Sequence, residues 1–581
     1  MGVALIAWGR FFDAHGNRIT VPAPSTDPGA PWLLDFLAQR ALSLRRVGFT
    51  AIQLPPTSKA QGGAGAGCDG YGLFDPRDLG GKPQQGSLPT RYGPKDSLTR
   101  FVAVAHACGL DVYLDLVLHQ RMGENGGPGV FRYLGADGRT LNGRGETTAG
   151  WFRGVPPDNL PDDDVPNQFF DFAFGRELSY QHCRPPRVTI EDALDFGVWV
   201  FRTTGADGAR FDDVKGTWAP FVREFMTHDV MASKFFYAEY FDGDPATLNW
   251  WAASPPLSGR SLVEDFTLHW ALQAACNGYT ARPLDGAGYS SWRADLACTF
   301  VDNPDTDTSP GQQVISNKLL AYAFLLSVEG YPFVYAKDYF PASVWDGAYG
   351  LQPWIDNLVW IHEHLANGST ATRYLDDTAI VLNRTGSPGL LTALNFDTLN
   401  PRTITCATSF GAHAALHDYA GRHGDIWTDA EGNATFTIPS NAFSGGHSYL
   451  CFSRAGLDSA NPTLGRETTQ VLFGAADLDI PPAHNGELVA GRITADRDTA
   501  ISLTFRPDHR GWSAGSAVRI LVDGPGGNPV IDVTCTGNDA AGRGHARDMG
   551  QYSIRLAGRQ LPEQGSAFEL EIIYTGPQTL P

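Results

Sequence analysis

No apolar run in this chain approaches the ~20 residues that a helix needs to cross a bilayer. No basic-then-apolar leader precedes the first apolar run, Val3 to Trp8, so the sequence read alone predicts a cytoplasmic protein or one whose leader has been removed. Cysteine is sparse: eight in 581 residues, scattered from Cys68 to Cys535 with no CxxC pair. That spacing argues against a zinc site and against a dense disulfide framework, and the cysteines read as reduced, buried thiols. Positive charge is short as well. Lys and Arg total 44 against 63 Asp and Glu, a net charge of −19. Nucleic acid and anionic membrane are therefore poor partners, and a neutral polymer suits the surface better.

The apolar share of 42% and the aromatic share of 11% are those of a globular chain, and its length exceeds one ordinary domain. Short runs rich in Val, Ile, Leu and Phe recur between helical patterns, at Val3–Trp8, Phe49–Leu54, Leu110–Val117, Asp207–Asp212, Phe235–Glu239, Ser261–Phe266, Leu296–Asp302 and Tyr331–Ala336. Alternation of this kind builds a parallel sheet. Eight such units close a (β/α)8 TIM barrel, whose active site lies at the C-terminal ends of the strands.

Between His119 and Asp192 the periodicity stops, and Gly, Pro, Asp and Asn dominate through GENGGPG and GVPPDNLPDDDVPN. An irregular insertion of that length reads as a functional excursion. From Arg373 the pattern turns to alternating strands separated by Gly, Asn and Asp, as in AIVLNRT and GLLTALNF, and a further all-β stretch runs from Leu457 to Pro581. A carbohydrate-binding role for that last stretch requires an aromatic platform, for which Trp512 is the conspicuous candidate; the alternative is a structural or packing module.

Three acids stand where three of the apolar runs give out: Asp212 after GARF, Glu239 after KFFYA and Asp305 after FVDNP. Glycoside chemistry needs one carboxylate as nucleophile and a second as proton donor, each delivered by a rigid strand. Arg210 precedes Asp212 by two residues, so the strand period places both on one side, where a guanidinium is expected to keep Asp212 ionised and oriented.

The stretches ADGARFDDVK (206 to 215), AEYF (238 to 241), FVDNPDT (300 to 306) and DLVLH (115 to 119) resemble, in order, the strand-4, strand-5, strand-7 and strand-3 signatures of the α-amylase superfamily. With GFTAIQLPP and GYGLFDPRDLG upstream and EGYPFVYAKD downstream, the chain is most similar to the liquefying bacterial α-amylase branch over residues 1 to 455. The resemblance implies a catalytic barrel, domain A, over residues 1–118 and 193–372, with an inserted domain B over 119–192. An antiparallel β domain C over 373–455 follows, then an additional all-β domain over 456–581. It implies a retaining glycoside hydrolase acting on α-linked glucans or oligosaccharides, with Asp212 as nucleophile, Glu239 as acid/base and Asp305 gripping the sugar hydroxyls. Tyr71 is then the platform under the −1 sugar, His119 a contact to that sugar, and Lys215 a contact on the aglycone side, while Trp250 and Trp251 are open to lining the cleft or to packing.

Two departures from the family pattern bear on function. Leu118 stands where the strand-3 motif carries Asn, a ligand of the structural calcium, and leucine cannot bind a hard cation; the acidic run Asp162, Asp163 and Asp164 reads as an alternative Ca2+ site or, more simply, as a solvated turn. Pro304 stands where the strand-7 motif carries a histidine that donates to sugar hydroxyls, and proline has no side-chain donor and no N–H. Losing one such transition-state donor costs roughly 10²–10³ in rate at comparable sites. The alternatives to hydrolysis are α-glucan transglycosylation at the same site and a non-catalytic carbohydrate-binding scaffold.

Overall fold

The computed structural model describes the chain apart from residues 1, 9–10, 13–17, 20–31, 66–67, 124–127, 135–139, 167–173, 342–347, 443–445, 458–466, 475–479, 481–486, 496, 549, 563–564 and 576–581. Eight parallel strands close a barrel: β1 (Val3–Ile6), β2 (Phe49–Pro56), β3 (Asp111–Leu116), β4 (Gly208–Phe211), β5 (Phe235–Ala238), β6 (Leu262–Glu264), β7 (Ala297–Phe300) and β8 (Tyr331–Tyr335). They follow one another around the barrel in chain order, β8 closing against β1 with Ala4 opposite Phe333 and Ile6 opposite Tyr335. All eight lie where the apolar runs predict them. Every residue of β1, β4, β7 and β8 is buried, which is why these strands read as continuous apolar runs and not as alternating ones.

Helices separate the strands. The helix Val188–Thr204 ends on Gly205, whose φ of 74° lets its N–H return to the Phe201 carbonyl. Three residues further on, β4 begins, so this stop signal sets where the chain enters the barrel. No helix among the described residues is long and apolar enough to cross a membrane.

By its contacts the chain falls into two compact units. One comprises Met1–Ile19, Arg46–Gln53 and Tyr237–Pro462, and includes a six-stranded sheet in the order Thr370–Leu375, Ala379–Arg384, Leu390–Asn395, Tyr449–Arg454, Ala415–Asp418, Ile426–Trp427. Val381, Leu391, Phe436 and Phe452 share its core. The other unit comprises Thr20–Arg45, Leu54–Phe236 and Thr463–Pro581. Its last part holds two four-stranded antiparallel sheets, and the alternating burial of Ala500–Pro507 and Phe568–Thr575 places one face of each strand in a common core. Ala103, on the helix Lys95–Ala107, belongs to that same core.

The irregular excursion is tied to the end of β3 by a short antiparallel pairing, Glu177 opposite Gln120 and Arg176 opposite Arg121. The runs 124–127, 135–139 and 167–173 of the excursion lie outside the described residues. All eight cysteines are free and buried, as their spacing predicts.

Candidate active site

Asp212 is the first residue beyond β4, and its backbone N–H still donates to the Leu116 carbonyl of β3, 3.1 Å away. The side chain is therefore launched from a fixed point. Arg210, opposite Asp115 in the β3–β4 register, aims one guanidinium nitrogen at two carboxylates: Nη1 lies 3.0 Å from both oxygens of Asp115 and 3.1 Å from Asp212 Oδ1. Asp115 is fully enclosed and Asp212 nearly so, with side-chain exposures of 0% and 11%. Charge-assisted hydrogen bonds in such surroundings orient strongly. The Tyr71 hydroxyl donates to Asp115 Oδ2 at 2.9 Å, so Tyr71, Asp115, Arg210 and Asp212 form one bonded chain. Lys215 lies three residues beyond Asp212 in the single turn Val214–Gly216.

His119 is enclosed rather than presented to solvent, at 4% exposure. Its Nδ1 lies 2.9 Å from Gln120 Oε1 and 3.2 Å from Asp213 Oδ2, and its Nε2 is at ion-pair distance, 3.2 Å, from Glu177 Oε1 without hydrogen-bond geometry. Burial works against a charge on this ring, yet Glu177 and Asp213 outweigh it and raise the imidazole above its ordinary value, with Arg153 opposing them. Glu177 accepts from Arg153 Nη1 at 3.0 Å, and Arg153 Nη2 donates to the Gly216 carbonyl at 2.7 Å. Nothing in sequence spacing announces Arg153 or Glu177, whereas Asp213 is the second acid of the pair after GARF.

The residues expected to offer calcium a site do not fit it. Leu118 contributes only its carbonyl, which accepts from the Tyr180 hydroxyl at 2.6 Å. Asp163 is buried and its oxygens are occupied by the Ser179 hydroxyl at 2.7 Å and the N–H groups of Tyr180 and Gln181 at 2.7 and 3.2 Å. The Arg153 guanidinium stands 3.7 Å away, a positive charge already in place. Among the described residues no group of three or more His, Cys, Asp or Glu side chains is arranged to hold a metal ion.

In the unit that contains Tyr237 to Pro462, Glu239 is half-buried immediately after the last residue of β5. Asp305 occupies the second position of a short helix, Pro304–Thr308. Asn303 caps that helix: its Oδ1 accepts from the N–H groups of Asp305 at 3.0 Å and Thr306 at 2.9 Å, while its own N–H donates to Thr306 Oγ1 at 3.0 Å. Pro304 is thus the first helical residue, where its missing N–H has no cost and its fixed φ favours the turn. Asn303 itself is extended, at φ −129° and ψ 178°, as the residue before a proline should be.

Asp302, three residues before Asp305, belongs to a buried ion cluster. The Lys318 ammonium sits between Asp302 and Asp338, 2.7 Å from the latter, and the Tyr322 hydroxyl donates to Asp338 at 2.7 Å. Burial pushes Asp338 up to about 6 against the pull of Lys318. His269 donates from Nδ1 to the Val301 carbonyl at 2.6 Å and stacks on Phe300; burial depresses its pKa to about 4, so the ring is neutral. These groups hold the end of β7 at Phe300, Val301 and Asp302.

The structure places the three tryptophans left open by the sequence. Trp512 is no platform: its ring packs against the core of the last β region and its Nε1 donates to Ser566 Oγ at 3.1 Å. Of the adjacent pair, Trp251 is buried against Tyr240, whereas Trp250 is 57% exposed, because neighbouring helical residues point about 100° apart.

A closed parallel barrel of eight strands defines a (β/α)8 protein, and Arg210 locks a carboxylate at the C-terminal end of its fourth strand. No family model matches the chain. It is 28% identical over 408 residues to an α-amylase of Geobacillus stearothermophilus, covering 61% of this chain and 71% of that protein. To a glucan 1,4-α-maltohexaosidase of Bacillus sp. strain 707 it is 26% identical over 458 residues, 69% of this chain and 84% of that protein. The crystal structure of the Geobacillus thermoleovorans α-amylase complexed with acarbose superposes with a TM-score of 0.55 at 17% identity, over 78% of this chain and 97% of that one. The chain is thus similar to bacterial α-amylases and related glucan hydrolases, proteins of Bacillus and Geobacillus among them.

Proposed function

We propose that the protein is a retaining glycoside hydrolase of α-linked glucans in which Asp212 is the nucleophile and Glu239 the acid/base. The observation that carries the reading is the single guanidinium nitrogen of Arg210 shared by Asp115 and Asp212 at the end of β4. It orients the Asp212 carboxylate and fixes which oxygen faces away from the arginine. In the first step that oxygen bonds to the anomeric carbon while Glu239 gives its proton to the departing glycosidic oxygen. In the second, Glu239 takes a proton from water, whose oxygen displaces Asp212 and regenerates both groups. Asp305, presented by its capped turn, accepts from sugar hydroxyls; Tyr71 supplies a ring beside Asp115, and Lys215 a cation on the leaving-group side.

Oligo- or polysaccharide is the partner this chemistry implies, and the division into barrel, excursion, sheet domain and terminal β domain at residues 118, 192, 372 and 455 is kept as a proposal. The packing of Ala103 into the terminal core supports a structural role for residues 456–581.

Proton NMR of the sugar first released from maltooligosaccharides tests the reading. An α-anomer, with no turnover by Asp212→Asn and with Glu239→Gln sparing glycosyl fluorides, is the expected result. A β-anomer as first product refutes retention, and wild-type rates in Asp212→Asn refute the nucleophile.

A further inference from the structure

We infer that Asp213, His119, Glu177 and Arg153 form a buried circuit that positions Asp212 by gripping both ends of the turn that follows it. The inference rests on the nucleophile assigned to Asp212 above.

The turn needs gripping. Asp213 adopts φ 37°, the left-handed region that side-chain-bearing residues seldom occupy, directly after Asp212. A backbone held there by nothing would relax, and the Asp212 side chain would swing with it. Two contacts oppose that. At the near end, Asp213 Oδ2 lies 3.2 Å from His119 Nδ1; at the far end, the Gly216 carbonyl accepts from Arg153 Nη2 at 2.7 Å. Glu177 joins the imidazole and the guanidinium, with Oε1 3.2 Å from His119 Nε2 and Oε2 3.0 Å from Arg153 Nη1. The circuit therefore leaves the turn at residue 213 and returns to it at residue 216, enclosing Lys215.

Every bridging member is built in. His119, Glu177 and Arg153 are 4%, 4% and 2% exposed, and Gln120 Oε1 at 2.9 Å from His119 Nδ1 fixes the ring's rotation. Gly216 completes the fit: a Cβ there would lie 2.5 Å from His119 Nε2, so only glycine allows the turn to approach the ring. His119 is thereby a positioning residue and not a sugar contact, because both of its nitrogens face the circuit. Misplacing a reacting atom by about 1 Å costs roughly 10²-fold in rate, which is the scale on which this device acts.

The test is the rate at which 5-fluoro-α-glucosyl fluoride labels Asp212, measured by intact-protein mass spectrometry for the full chain and for Asp213→Asn, Arg153→Gln, Arg153→Lys and Gly216→Ala. Asparagine tolerates the left-handed region, so Asp213→Asn removes the charge without forcing the backbone. Labelling is expected to slow roughly 10- to 100-fold in Asp213→Asn and Arg153→Gln. KM should hold within a few-fold, Arg153→Lys should be intermediate, and Asp213→Asn should melt near the wild-type temperature. The loss should be equal on activated fluorides and on maltooligosaccharides, since nucleophile placement and not leaving-group protonation is at fault. Wild-type labelling rates in Asp213→Asn and Arg153→Lys, or a loss confined to unactivated substrates, overturn the inference while leaving Asp212 as nucleophile. A wild-type protein that labels at another residue overturns the nucleophile assignment and the inference with it.

Discussion

Replacing Arg210 separates its two tasks. The side chain is 7% exposed and its Nη1 contacts three carboxylate oxygens, two on Asp115 and one on Asp212. Arg210→Lys keeps a positive charge but offers a single point charge on a shorter reach, which can satisfy Asp115 or Asp212 and not both at these distances. Losing one charge-assisted hydrogen bond of about 1.5–3 kcal/mol to Asp212 predicts a fall in kcat of roughly 10- to 150-fold. KM should change little, since the lost contact is to the nucleophile. Arg210→Met removes the charge altogether and leaves the buried Asp115 without its guanidinium. Breaking a buried pair in that way costs about 3–5 kcal/mol of stability. Steady-state release of reducing sugar and urea unfolding read the two effects separately. An Arg210→Lys enzyme with wild-type kcat, or an Arg210→Met protein as stable as the parent, would show that the shared guanidinium neither orients nor neutralises these acids.

Three more outcomes follow from other parts of the molecule. His269 has its pKa depressed to about 4 from the ordinary 6.5, so the unfolded chain binds a proton that the folded chain refuses; stability is full above pH 6.5 and falls by about 3 kcal/mol as the pH drops to 4, and His269→Asn should flatten that slope in urea titrations at successive pH values. Chelator should leave the calorimetric melting midpoint of the protein unchanged, because Leu118 offers only a carbonyl already bonded to Tyr180 and Asp163 is occupied by its own neighbours; a loss restored specifically by calcium would contradict this. Pro304→His should lower stability by under about 1 kcal/mol, since a residue with preset φ is lost at the first helical position, and should shift preference toward plain α-1,4-glucans over other α-linked sugars. Equal acceleration on every sugar of a product-analysed panel would mean that Pro304 sets no preference.

Much of this architecture is legible in the sequence, for a physical reason. Strands buried on both faces must be apolar throughout, so β1 and β8 stand out as unbroken runs, whereas the expected run Leu296–Asp302 overshoots β7, Ala297–Phe300, because Val301 and Asp302 are buried without pairing as strand. The link between Arg210 and Asp212 is equally legible, since the strand period of two puts both on one side. Burial of polar groups is not. Asp163 and its exposed neighbours Asp162 and Asp164 look alike as letters, yet only the first is enclosed and turned inward to cap a loop. Arg153 and Glu177 come from an insertion without periodicity, and Arg153, held by Glu177, reaches Gly216, 63 residues away, by a path that no spacing rule encodes. Trp512 failed as a platform for a similar reason: a tryptophan in a turn-rich stretch is compatible with either face until Ser566 is found beneath its indole nitrogen.

Locating the covalent intermediate tests the central claim most directly. After reaction of the wild-type protein with 5-fluoro-α-glucosyl fluoride and proteolysis, tandem mass spectrometry should find one fluoroglucosyl residue esterified to Asp212, on the peptide that also carries Arg210 and Asp213, and none in the Asp212→Asn protein. A label on Glu239, on Asp305 or on any other residue would contradict the assignment of Asp212 as the nucleophile held by Arg210.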